Sequence, residues 1–117
     1  MKVAKSRIVA EVTGKQAIVY FVVSSVRELS DVQKIGDEIE EIAYNYDINL
    51  LVINFSKLRQ MTSGFLSRLI SLNRSLRQMK IQIRLCSMCP EVERAYTICK
   101  LQKLIPLYPT EEKALKG

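Results

Sequence analysis

The sequence predicts an α/β fold: a single mixed sheet of about five strands, mostly parallel, flanked by about four helices. Three observations predict it. From residue 30 onward, short apolar runs alternate with longer segments of helical periodicity, and a strand–helix–strand order implies crossovers and parallel pairing. The opening is different: two strand-like runs are separated by Thr13-Gly14-Lys15, the mark of a hairpin, with Gly14 supplying a positive φ. Finally, 117 residues, 48% hydrophobic and 26% charged, suit one domain over residues 1–117 that buries a core without disulfides or metal.

The elements follow in order. Residues 6–12 and 16–23 read as the hairpin strands, the first by alternation and the second by a nearly continuous apolar run that suggests burial on both faces. Ser30 and Gln33 form an S-x-x-Q capping box that would open the first helix. Val32, Ile35, Ile39, Ile42, Ala43 and Tyr46 fall on one face of it, and Asp37, Glu38, Glu40 and Glu41 lie mostly elsewhere. Leu50–Ile53 is the third strand, followed by a short polar loop. Residues 63–79 form the second long helix, with Phe65, Leu66, Leu69, Ile70, Leu72, Leu76 and Met79 apolar. Ile81, Ile83 and Leu85 alternate with Gln82 and Arg84, a strand exposed on one face. Pro90 suits the first position of a third helix whose Val92, Ala95, Tyr96 and Cys99 face inward. Ile105–Tyr108 is a last strand. Thr110 caps a terminal helix with Glu111 and Glu112 in its dipole-favoured first turn.

Composition excludes several function classes. There is no histidine, which removes Ser-His and Cys-His nucleophile systems. There is no phosphate-binding glycine loop of either common pattern. Glu40-Glu41 and Glu111-Glu112 are adjacent on helices and point apart, so neither is an acid–base dyad. No apolar run reaches the ~18 residues of a membrane span, and the start has no secretory signal pattern. Three cysteines argue against a disulfide scaffold and for a reduced, cytoplasmic protein. No cofactor is expected.

Charge is uneven. Residues 31–48 carry one lysine and six acids, whereas residues 49–117 carry twelve Lys/Arg and four Glu. Nucleic acid is one reading of the basic excess, but few aromatics are free to stack on bases and no nucleic-acid motif is present, so a solvated surface or an acidic protein partner is preferred. Cys86-Ser87-Met88-Cys89 is a C-x-x-C at a strand-to-helix junction, where a helix end would lower the Cys89 pKa. A thiol-redox site is one reading and two small apolar fillers the other. With no histidine, a four-ligand zinc site lacks donors.

The place best suited to recognition is the start of the second long helix. Thr62, Ser63 and Gly64 follow a buried strand, and outward N–H groups and the helix dipole welcome an anion there. Either hydroxyl suits a helix cap. If Thr62 caps, Ser63 is left exposed in the first turn. Arg59, Arg68, Arg74, Arg77 and Lys80 would make that helix and its approach positive.

From about Ile48 onward the chain resembles a STAS domain, the fold of the anti-sigma factor antagonists and of sulfate-transporter tails. The resemblance is carried by LLVINFSKL, then MTSGFLSRL, then IQIRLCSMCPEVERAY, then LQKLIPLY ahead of a terminal helix. It implies a bacterial regulatory protein that binds rather than catalyses, a monomer or weak dimer. The partner it implies is an anti-sigma factor that is also a serine kinase of the GHKL type. In the antagonists the helix-opening turn is Asp-Ser-Ser-Gly and its second serine is phosphorylated. Ser63 matches that serine, Thr62 the one before it and Gly64 the glycine. The resemblance thus implies a partner-binding surface at Asn54, Arg59, Met61, Thr62, Ser63, Gly64 and Arg68. This chain departs from the family at three points: Met61 replaces the Asp, Asn54 stands at the strand end where many members have Asp, and Ser24-Ser25-Val26-Arg27 replaces an early Gly-x-x-Asp. A STAS scaffold without a phosphoswitch is therefore the alternative.

Overall fold

The computed structural model describes all 117 residues. Its strands are β1 (Lys2–Ala4), β2 (Ile8–Thr13), β3 (Gln16–Phe21), β4 (Ser25–Val26), β5 (Leu50–Asn54), β6 (Gln60–Met61), β7 (Gln82–Cys86) and β8 (Leu107–Tyr108). Its helices are α1 (Leu29–Asn45), α2 (Ser63–Gln78), α3 (Pro90–Ile98) and α4 (Glu111–Lys116), with a 3-10 turn at Leu101–Lys103. The main sheet has six strands in the order β1-β2-β3-β5-β7-β8. β1, β2 and β3 pair antiparallel, and β3-β5, β5-β7 and β7-β8 pair parallel. The expected hairpin and crossovers are thus present, with β3 and β5 central.

The sheet is covered unequally. Alternate residues Leu51, Ile53, Ile83 and Leu85 pack with the apolar stripes of α1 and α2 in one large cluster. On the other face, Leu50, Val52 and Cys86 meet only Ala114 of α4, with Ile18, Tyr108 and Leu115 at the margin. β5 is buried at every position, as a strand sandwiched between helices must be.

Several expectations need correction. β1 adds a sixth strand, because its three residues are too few to show a period. β3 is buried on one face only, through Ala17, Val19 and Phe21; Ile18 and Tyr20 are half-buried since α4 is too short to cover them. The Ser30 capping box does not form. α1 begins at Leu29 with Glu28 as N-cap and no side-chain cap bond. Its first turn is held instead by Arg7, whose Nε donates to Asp31 Oδ1 at 2.7 Å. Cys99 points outward and is exposed, since α3 ends at Ile98 and the chain turns through Lys100 at φ 57. Ile105 is buried ahead of a shorter β8. The Tyr96 hydroxyl donates to the carbonyls of Leu101 (3.1 Å) and Ile105 (2.5 Å), which fixes this turn. Thr110 does cap α4, accepting from the Lys113 N–H at 3.2 Å.

Candidate functional site

The segment from Phe55 to Thr62 sets the position of α2, and it is more than a polar loop. Phe55 and Leu58 are fully buried in it. Phe55 stacks with Phe21 and Phe65 at ring-centroid separations of 5.1 and 6.5 Å, and Phe21 and Phe65 lie 5.9 Å apart. Such a trio is a rigid, well-packed floor. The backbone is tied as firmly. The Phe55 N–H donates to the Cys86 carbonyl (2.9 Å), and the N–H groups of Arg59 and Gln60 donate to Ser24 (2.7 and 3.2 Å). β6 then pairs parallel with β4, Val26 opposite Met61, and the Thr62 N–H donates to the Val26 carbonyl at 3.1 Å. This two-stranded sheet escapes sequence reading because two residues carry no period.

At the end of this brace stands the hydroxyl pair. Thr62 is the N-cap of α2, extended at φ −94 and ψ 166, and its side chain makes no cap bond. Ser63 is the first helical residue and is exposed, as is Gly64. Met61 and Thr62 are half-buried. No acid lies in the first turn of α2, so nothing neutralises its dipole or its free N–H groups. The site sits beyond the carboxyl ends of the parallel strands, the usual position for binding in an open α/β sheet.

Two surfaces flank Ser63. On one side, Arg27, Arg59, Met61 and Thr62 line an open groove with Glu91 and Val92 of α3. Arg59 is exposed there, and its carbonyl accepts from the Cys89 thiol at 3.9 Å. On the other side, Gly64, Ser67 and Arg68 face Leu29 and Val32 across the α1–α2 seam. Leu29 is 71% exposed. A leucine so exposed beside small residues is a contact a partner could cover, and the sequence shows it only as one apolar residue ahead of a helix.

Two of the expected surface residues face inward. Arg68 is only 11% exposed in its side chain; its guanidinium reaches Glu40 at 2.5 Å and Asp37 at 3.1 Å. It clamps α2 to α1 instead of adding free charge. The rest of the acidic block is used likewise: Glu41 takes Lys5 at 2.7 Å, and Glu38 accepts the N–H groups of Ser6 and Arg7. Asn54 is buried at the end of β5. Its Oδ1 accepts from the Ser56 N–H (2.8 Å) and its Nδ2 donates to Glu111 Oε1 (2.9 Å), which also accepts from the Tyr20 hydroxyl (2.7 Å). Burial and then Glu111 hold the Tyr20 phenol up at about 12. Asn54 therefore starts the loop to Ser63 and anchors α4, on the far face of the sheet.

The cysteines form no bond. Cys86 is wholly buried, and burial pushes its thiol above the ordinary range, partly offset by a hydrogen bond with Ser87. A nucleophilic thiol needs the opposite shift. No group of metal-ligating side chains is present, and no helix is long and apolar enough to cross a membrane.

The STAS domain family matches residues 7–114 of the sequence. Among curated proteins, none matches it. Solved structures do. An anti-sigma factor antagonist from Mycobacterium paratuberculosis superposes with a TM-score of 0.80 at 20% identity, covering 93% of this chain and 90% of its own. An anti-sigma-factor antagonist (STAS) domain protein from Planctomyces limnophilus gives 0.80 at 18% identity, covering 97% and 98%. The Bacillus cell fate determinant SpoIIAA in its phosphorylated form gives 0.67 at 18% identity, covering 93% and 96%.

Proposed function

The chain belongs to the STAS domain family, and on that premise we propose that it is a binding protein of the anti-sigma-factor-antagonist type, switched by phosphorylation of Ser63. The observation that carries the reading is the state of that serine. It is exposed at the first position of α2, with no acid in the turn and a braced loop behind it. A kinase can reach it without unfolding anything.

The physics of the switch is local. A phosphate of about −1.5 to −2 charge at a helix N-terminus is stabilised by the dipole and the free N–H groups. The fold therefore tolerates it. A partner seated over Ser63, Gly64 and Leu29 does not, because it would have to desolvate that charge or oppose it. Unmodified, the protein would hold an anti-sigma factor that is itself a GHKL-type serine kinase; modified, it would release it. Arg59 and Arg27 would face the kinase or its nucleotide across the groove.

The test is binding of the kinase partner by titration calorimetry. Ser63→Asp should weaken binding at least about tenfold while the fold is retained, and Ser63→Ala should bind as the unmodified protein does. Unchanged binding by Ser63→Asp would favour the second reading, a STAS scaffold without a switch. The observation favouring that reading is that the groove carries Met61 and Arg27 in place of acids that would position a hydroxyl or a metal-bound nucleotide.

A further inference from the structure

The other end of α2 carries a second site. We infer that the cavity between the C-terminus of α2, the start of β7 and the 3-10 turn binds a small phosphorylated molecule. It is about 570 Å³, and Asn73, Arg77, Lys80, Gln82, Lys103 and Leu104 are among its lining residues. That volume lies within the range of small-molecule sites.

Asn73 is the central observation. It occupies the buried stripe of α2, between Leu69, Leu72 and Leu76, where an apolar residue is expected. It is 8% exposed. Its side-chain amide has no partner in the chain and opens into this cavity and an adjoining depression lined by Ile70, Arg74 and Arg77. The amide oxygen and nitrogen reach solvent only through this opening, so donor and acceptor are both free to pair with a ligand there.

Charge selects the ligand class. Residues 48–90 contain seven Lys/Arg and no acid. None of Arg74, Arg77, Lys80 and Lys103 forms an ion pair; the chain's salt bridges lie elsewhere. The helix dipole explains a cation at the end of α2. It does not explain Lys103, which comes from the 3-10 turn, or Asn73. Lys80 adds a further sign. It holds the left-handed position that ends α2, at φ 63, with the Ile81 N–H donating to Leu76 and its own N–H to Arg77. Glycine is the usual residue there. A lysine therefore stands where backbone conformation favours glycine. Guanidinium and ammonium groups around a hydrogen-bonding amide recognise a phosphate with a polar group beside it.

The test is titration of the full chain with inorganic pyrophosphate at fixed ionic strength, read by calorimetry and by amide NMR. The expected result is saturable 1:1 binding, with shifts at the Asn73 side chain, Gln82 and Lys103 and none at Thr62–Gly64. Asn73→Leu fits the apolar stripe and should fold while binding about tenfold or more weakly. The surface pair Arg77→Gln with Lys103→Gln should do the same and decides the matter if Asn73→Leu fails to fold. Shifts that rise without saturation, undiminished binding by a folded Asn73→Leu or by the surface pair, or tighter binding of a single-stranded oligonucleotide that displaces pyrophosphate would each overturn the inference.

Discussion

Gly36→Ala should destabilise the protein, although alanine is the better helix former. Gly36 is buried in α1 against α2. A Cβ built there would lie 2.2 Å from Arg68 Nε and 2.4 Å from Cζ. The guanidinium must then leave the seam. What it loses is chiefly the Glu40 contact at 2.5 Å, between side chains 11% and 21% exposed; a hydrogen bond between charged groups is worth about 1.5–3 kcal/mol. The Asp37 contact adds little, because that carboxylate is 73% exposed. Against this, Gly to Ala within a helix gains about 1 kcal/mol, and Arg68 Nε, buried without a partner, is released to water. The net expectation is a loss of about 0.5–1 kcal/mol in urea unfolding followed by circular dichroism. In an Arg68→Ala background the obstacle is gone, so Gly36→Ala should stabilise by about 1 kcal/mol. A stabilised single mutant, or the same sign in both backgrounds, would refute this account of the α1–α2 seam.

Thr62→Ala should lose less than about 0.5 kcal/mol in the same assay, because the Thr62 hydroxyl makes no cap bond; a loss of about 1–2 kcal/mol would mean that it caps after all. Lys80→Gly should gain about 0.5 kcal/mol, the relief of a left-handed lysine of about 1 kcal/mol less the helix-end cation it removes, and a net loss would contradict the strain assigned to φ 63. Tyr20, with its phenol raised to about 12 from 10.0, favours the protonated folded state. Its contribution is complete below pH 10 and lost as pH rises towards about 12. Tyr20→Phe should remove that part of the alkaline loss in stability, and an unaltered alkaline limb would show that the Glu111 contact does not act through the phenol.

Most of the fold is legible in the sequence because its long elements carry unambiguous periods. The stripe from Val32 to Ala43, the run Leu50–Ile53 and the alternation Ile81–Leu85 each follow from burial alone. What escapes is set by tertiary partners. β1, β4 and β6 have two or three residues each and exist through backbone pairing. The Ser30 box fails because α1 begins one residue earlier, at Leu29 with Glu28 as N-cap, which puts Ser30 inside the first turn. Ser63, Thr62 and Gly64 stand where the helix-start pattern puts them, and Met61 and Arg59 beside them. Arg68 and Asn54 do not, for a charge pattern cannot say that Arg68 faces Glu40, nor a strand end that Asn54 faces Glu111. Asn73 escapes for the opposite reason: it interrupts an apolar stripe by one residue, and only the structure places it at the edge of a cavity.

Whether Ser63 is the switch is decided most directly by phosphate mapping. The protein is incubated with its partner serine kinase and ATP, and the product is digested and analysed by mass spectrometry. A single phosphate is expected, on Ser63, absent from Ser63→Ala. No incorporation, or phosphate on Thr62 or another residue with Ser63 unmodified, would contradict a switch at Ser63.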